Sequence, residues 1–198
     1  RGVQLQCTYD NILWSYGGDW YDENYLPTIN SKEAVAALEY FKSLIPYAPK
    51  GVLSYDWDEN ARAYAQGNAA MTIQWQNAAP TFYNPEKSKI MDKFKFTLIP
   101  GQKQADGSIR RTPTFGGWSL EIPKDSKNKE AAWEFLVWAS SQELDPRLAY
   151  SQPGSRISGL EDPEMQKKYM EYPAMLESLP TAKGRPRIAP YAELADAL

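Results

Sequence analysis

Between Asn30 and Pro46 the apolar residues Val35, Leu38, Phe41 and Ile45 recur at helical spacing, which predicts an amphipathic helix ended by the proline. Asn30 supplies the N-cap, and Glu33 completes a capping-box pattern. A second helix is predicted from Asp58 to Gln66, with Gly67 as its C-terminal cap. The segment SKNKEAAWEFLVWASS is strongly helical, with Ala132, Phe135, Leu136 and Ala139 on one side and Trp133 and Trp138 as core or lobe-packing residues. Three stretches predict strands. AMTIQW (Ala70 to Trp75) is short, apolar and bounded by breakers, and FKFTLI (Phe94 to Ile99) alternates and stops at Pro100-Gly101. In the third, Trp118, Leu120 and Ile122 share a face. Gly2 to Ile12 reads as irregular to extended, and Trp14 to Asn30 as a long aromatic loop. From Glu143 onward Pro146, Pro153, Pro163, Pro173 and Pro180 break the chain into short helices, and GRPRIAPY is extended before a last one. Strands alternating with helices give the α/β or α+β class, with helices wrapping a small sheet rather than a closed barrel.

Composition narrows the chemistry. The 198 residues suffice for one substantial core or two small lobes, and no apolar run is long enough to span a bilayer. A formal charge of −3 argues against nucleic acid as a partner. The pair Arg110-Arg111 and the spaced Lys183, Arg185 and Arg187 fit solvated surface instead. The chain has no histidine, which removes Ser-His-Asp and Cys-His catalysis and any histidine metal cage. The single cysteine, Cys7, has no internal disulfide partner and reads as a small strand residue rather than a nucleophile. Asp56, Asp58 and Asn60 match the opening of a calcium loop, but Ala61 stands where glycine is needed and Gly67 where the bidentate glutamate belongs. No metal and no cofactor is therefore expected.

The seven tryptophans and thirteen tyrosines change the picture more, because several occur in polar, glycine-rich surroundings. In TFGGWSLEIP (Thr114 to Pro123) a tryptophan follows two glycines. This is either the start of a buried strand or an aromatic plate beside exposed backbone.

Three stretches together resemble one family: GNAAMTIQWQN (Gly67 to Asn77), FGGWSLEIPKDSKNKEAAWEFLVW (Phe115 to Trp138), and the run from Gly154 through PRIAPYAEL (Pro186 to Leu194). They resemble the extracellular solute-binding proteins of bacterial ABC sugar importers, most of all the maltose- and trehalose-type binders. GGDWYDENYLPTINSKEAVAAL (Gly17 to Leu44) fits the same pattern. The resemblance implies a periplasmic-binding-protein-like α/β fold of two lobes with sugar held in the cleft between them. It also implies a fragment, consisting of the second lobe plus returning segments of the first. Residues 1–100 would form mostly the second, carboxy-terminal lobe. Residues 101–198 would carry the hinge-crossing segment, the return to the first lobe and the carboxy-terminal helices. The expected setting is periplasmic or extracellular, with a lipid anchor left open. The partners are a carbohydrate and a membrane permease. The full-length protein is expected to be monomeric and the fragment to self-associate.

A sugar presents apolar C–H faces and a polar hydroxyl rim, so a site for it combines aromatic plates with planar polar groups. Trp118 is the first candidate plate, with Gly116 and Gly117 leaving room for a ligand to meet backbone N–H groups. Trp75 is the second, followed by Gln76 and Asn77 as hydroxyl partners, although a core tryptophan is also consistent there. Arg156 offers a forked donor for vicinal hydroxyls, or a surface ion pair. Tyr9 and Trp14 are further cleft candidates. The competing function is a carbohydrate-active enzyme using two carboxylates, with Asp19, Asp22, Asp56 and Asp58 as the acids nearest the aromatics, and a structural interaction domain is a third reading.

Overall fold

A computed structural model describes residues 2–148 and 156–196. The first element is helix α1 (Gly2–Tyr16), where the sequence had read extended chain. Its period is carried as much by polar as by apolar side chains, which hides it from a hydrophobicity reading. Gln6, Asp10, Asn11 and Ser15 are buried together with Tyr9, Ile12, Leu13 and Trp14. Each polar group has a partner. Gln6 donates to the Asp10 carboxylate, Asn11 Nδ2 donates to the Cys7 carbonyl at 2.8 Å, and Ser15 Oγ accepts the Thr112 amide at 3.1 Å. Cys7 is thus a buried helix residue rather than a strand residue, and burial raises its thiol pKa to about 11, so it is inert.

Helix α1 stops where Gly17 takes φ +90°, with Gly17 N bonding Trp14 O and Gly18 N bonding Leu13 O, a Schellman closure. The aromatic loop that follows is pinned by an isolated bridge between Tyr21 and Pro27. Helix α2 (Lys32–Ser43) begins one residue later than predicted. Ser31, not Asn30, caps it, accepting the Ala34 amide at 3.2 Å. Its inner face is Ala34 and Ala37 with Phe41 beside them, while Val35, Leu38 and Ile45 are exposed. The alanines allow close approach to the large Tyr9, Leu13, Trp14 and Trp20 of the same cluster. Burial of a side chain such as Leu13 stabilises by about 2 kcal/mol. Pro46 lies past the helix end, in a short 3₁₀ turn.

A second core gathers on helix α3 (Trp57–Ala65), capped by Asp56 with a full capping box to Glu59, and on α4 (Ala79–Tyr83). Ala61, Ala65, Ala78, Phe82 and Phe94 are buried there. The predicted strands at 70–75, 94–99 and 118–122 carry no ladder pairing. Their polar groups are met otherwise: Thr72 Oγ1 donates to Asn60 Oδ1 at 2.6 Å and Gln74 Nε2 to the Trp57 carbonyl at 3.2 Å. The alternation of Phe94 and Phe96 serves packing against Phe82 and Tyr83 instead.

Regular pairing among the described residues is sparse. Strands β1 (Gln102–Lys103) and β2 (Ile109–Arg110) make a short antiparallel hairpin turned at Gly107, whose φ is +87°. Strand β3 (Thr114–Phe115) leads to helix α5 (Lys129–Ala139), and α6 (Asp145–Leu148), α7 (Ile157–Leu160), α8 (Pro163–Lys168) and α9 (Tyr172–Ser178) follow as the short helices expected. Strand β4 (Lys183–Gly184) pairs in parallel with β3, and α10 (Tyr191–Asp196) ends the described chain. Leu160, Tyr169 and Tyr172 form a third core cluster, tied to the second where Tyr83 Oη donates to Glu171 Oε2 at 2.8 Å.

Helix α5 is the exception to this economy. Apolar residues take up most of its circumference, with Glu130 and Glu134 sharing the remaining side, yet none of its residues is buried, and Trp133 and Trp138 are 62% and 57% exposed. A helix with so wide an apolar face ordinarily packs it against a neighbour.

Candidate functional site

Trp75 and Gly116 meet directly. A Cβ built on Gly116 would lie 2.9 Å from Trp75 Cη2 and 3.0 Å from Cζ3, so only glycine lets the backbone rest on the ring. The indole is held from both ends. Its Nε1–H donates to Gln4 Oε1 at 3.2 Å and its backbone N–H to Gln74 Oε1 at 2.8 Å. Gly117 has open space where a side chain would be, and Trp118 is 101% exposed. Two Cα steps of about 3.8 Å keep Trp118 within about 8 Å of Gly116 along the chain. The Trp75 ring thus rests against the Gly116 backbone, and two residues further on Trp118 presents a free ring beside the bare backbone of Gly117. Trp118 does not begin a buried strand.

The other candidates are engaged elsewhere. Arg156 precedes α7, and its Nη1 donates to the Ser140 carbonyl at 2.9 Å, satisfying an orphan acceptor at the end of α5. No hydrogen bond links it to Trp75 or Trp118 among the described residues. Tyr9 is 1% exposed, stacked on Phe41 and edge-on to Trp20, with its hydroxyl donating to Ala34 O at 3.2 Å. Trp14 is also buried. Its Nε1 donates to Asp19 Oδ1 at 3.1 Å, and Lys183 Nζ sits 5.2 Å from its ring centroid. Both are core residues with no face to offer a ligand, because α1 is a helix packed on α2 and not a strand lining a cleft.

Three of the four acids nearest the aromatics are committed to local structure. Asp19 accepts from Trp14 and the Trp20 amide and pairs with Lys183. Asp22 accepts the amides of Asn24 and Leu26, Asp56 caps α3, and Asp58 lies in the first turn of that helix. A depression of about 540 Å³ bordered by Asp19, Asp22, Glu23 and Glu33 shares no residue with the Trp75–Trp118 surface. Two of its acids already serve the loop's own donors, so it reads as loop relief rather than a binding site. Among the described residues no acidic, cysteine or histidine cluster fits a metal ion, and no helix is long and apolar enough to cross a membrane.

A buried polar knot on α1 escaped the sequence reading. Asp10 accepts Trp20 Nε1–H at 2.7 Å and the Gln6 amide, and Tyr191 of α10 in turn donates to Gln6 Oε1. Burial, reinforced by the charge of Asp19, raises the Asp10 pKa from 3.8 to about 7, against the opposing hydrogen bond from Trp20 and the charges of Arg185 and Lys183. The spacing of Gln6 and Asp10 would have marked a helical pair had α1 been recognised as a helix.

Residues 2–145 match the family described as bacterial extracellular solute-binding protein. A probable amino-acid ABC transporter periplasmic-binding protein of Sinorhizobium fredii is 27% identical over 90% of this chain, which covers 40% of that relative. A mannitol-binding protein of Pseudomonas aeruginosa is 28% identical over 73% of this chain and is 34% covered. The ribitol complex of an ABC transporter solute-binding protein from Agrobacterium radiobacter K84 matches 99% of the chain at TM-score 0.85 and 29% identity. Maltose-bound MalE3 of T. maritima matches 97% at TM-score 0.84 and 32% identity. The chain spans 50% of each of these two structures. Its fold is that of periplasmic solute-binding proteins, over about half their length. The chain belongs to the bacterial extracellular solute-binding protein family.

Proposed function

We propose that this chain carries part of the ligand site of a non-enzymatic solute-binding protein that captures a neutral carbohydrate or polyol for an ABC-type importer. The observation that carries the reading is Trp118, fully exposed beside two glycines, the first of which rests on the buttressed ring of Trp75. Such a surface matches a ligand with one apolar face and one hydroxylated rim. Two of the relatives are described with ribitol and mannitol and a third with maltose. One curated relative is named for amino acids, whereas the uncharged surroundings of Trp75 favour a neutral ligand. The polar side chains bonded around Trp75 are Gln4, Thr8 and Gln74, all uncharged. An amino acid needs partners for an ammonium and a carboxylate.

In this reading residues 1–100 belong mostly to the second lobe, and residues 101–198 cross the hinge and return to the first. Lobe closure traps the ligand, and a membrane permease in the periplasmic or extracellular setting receives it. Catalysis by a carboxylate pair has no support, because Asp19, Asp22 and Asp56 are each engaged in local structure. Calorimetric titration with ribitol, mannitol, maltose and a set of amino acids tests the reading. Heat from at least one polyol or sugar and none from amino acids is expected, and the reverse pattern refutes it.

The bare apolar surface of α5 bears on the isolated 198-residue chain. Trp133, Phe135, Val137 and Trp138 left exposed favour association between copies. Light scattering of the isolated chain should report species larger than a monomer, and replacing Trp133 and Trp138 by serine should return the monomer. A chain that is monomeric at high concentration without those changes contradicts this.

A further inference from the structure

We propose that Gln4 is the hydroxyl-reading residue of this site, donating through its side-chain amide to one ligand hydroxyl beside the Trp75 ring. The inference rests on the carbohydrate-binding reading and adds to it the residue that makes a hydroxyl obligatory at one ligand position.

The orientation of the Gln4 amide follows from its partner. An indole N–H only donates, so the Gln4 oxygen, not its nitrogen, faces Trp75 Nε1 across 3.2 Å. The NH₂ group is then turned toward Thr8. There it meets Thr8 Oγ1 at 3.4 Å, beyond the usual range for such a bond. The Thr8 hydroxyl proton is itself committed to the Gln4 carbonyl at 3.0 Å. The amide carries two N–H donors, and among the described residues only this one long contact uses either of them. Gln4 is half-buried, so its side chain is not sealed from solvent. A planar donor set beside an aromatic ring matches the two halves of a sugar, C–H face on ring and hydroxyl on amide. The same amide holds the ring, so the plate and the hydroxyl partner keep a fixed spacing. That rigidity lets the pair discriminate as well as bind.

A site that bonds a ligand hydroxyl rejects the analogue lacking it, because its own polar group is then left unpaired. The test is calorimetric titration of the whole protein with a sugar or polyol that it binds and with the set of matched monodeoxy analogues. The wild-type protein should bind the parent at least about tenfold more tightly than one of these analogues. Gln4→Leu should bring the parent down to the affinity of that analogue while leaving the analogue's own affinity nearly unchanged. Gln4→Met should do the same. It keeps the length of the side chain without any polar group, so the space beside the ring stays filled while hydroxyl reading is lost. Either variant retaining the parent-to-deoxy ratio overturns the proposal. A uniform loss across parent and analogues overturns it as well, since that is the mark of a purely structural role. No binding of any sugar or polyol by wild type defeats the carbohydrate reading itself, a failure distinguishable from the other two.

Discussion

Asp10→Asn should stabilise the protein above neutral pH by up to about 4 kcal/mol and flatten its stability between about pH 4 and pH 7. Asp10 has its pKa raised to about 7 in the folded chain by burial, against 3.8 for an ordinary aspartate. Between those two values the native state holds a proton that the unfolded chain has released. Stability therefore falls as pH rises through this window, and the whole penalty is present above pH 7. Asparagine removes the buried charge and still offers an oxygen to Trp20 Nε1, now 2.7 Å from Asp10 Oδ1. Its NH₂ would face the Gln6 amide, which turns over to present oxygen, and the Tyr191 hydroxyl then accepts from the Gln6 NH₂ instead of donating to its oxygen. The charges around this group are Asp19, Lys183 and Arg185, and all three remain in the variant. A smaller slope of the same sign should persist from Glu171, which burial also raises. Urea unfolding of both proteins at pH 5 and pH 8 measures the effect. Wild-type stability that rises over this interval contradicts it.

The second large effect is at Trp75. Trp75→Ala should weaken ligand binding at least tenfold and lower stability by roughly 2 kcal/mol. The ring supports the Gly116 backbone and gives its N–H to Gln4, so its loss opens a gap and frees the Gln4 side chain. Trp118→Ala supplies the contrast. Trp118 is fully exposed, so its removal should change stability by no more than about 0.5 kcal/mol. It should nonetheless cost a comparable factor in affinity. Ligand titration and urea unfolding run on both variants separate the plate that is built into the fold from the plate that only meets the ligand. Undiminished affinity in Trp118→Ala would remove that residue from the site.

These two tryptophans also mark what the sequence made legible. The glycines before Trp118 signal close approach to the backbone, but their occupant was not legible: where room for a ligand is expected, the Trp75 ring already rests on Gly116. Helices α3 and α5 followed from cap residues and apolar spacing, because there the local signals agree with the structure. Helix α1 did not, since Gln6, Asp10, Asn11 and Ser15 occupy positions where a hydrophobic period would be sought. Their partners come from as far away as Thr112, Thr114 and Tyr191, and no local window contains them. Tyr9 and Trp14 were read as cleft residues for the same reason, and they pack inside the α1–α2 core. The stretches at 70–75 and 94–99 have strand-like composition, but a strand also needs a neighbour, and pairing is not written in the stretch itself. Arg156 has the chemistry of a hydroxyl partner, yet the nearer acceptor, the Ser140 carbonyl, holds it.

The most direct measurement of the binding account is a crystal structure of the whole protein with the neutral sugar or polyol that it binds most tightly. The apolar face of the ligand should lie on the Trp118 ring at van der Waals distance, about 4 Å, with Trp75 and the Gly116–Gly117 backbone bordering it. A ligand seated elsewhere, with Trp118 as bare as it is without one, would contradict it.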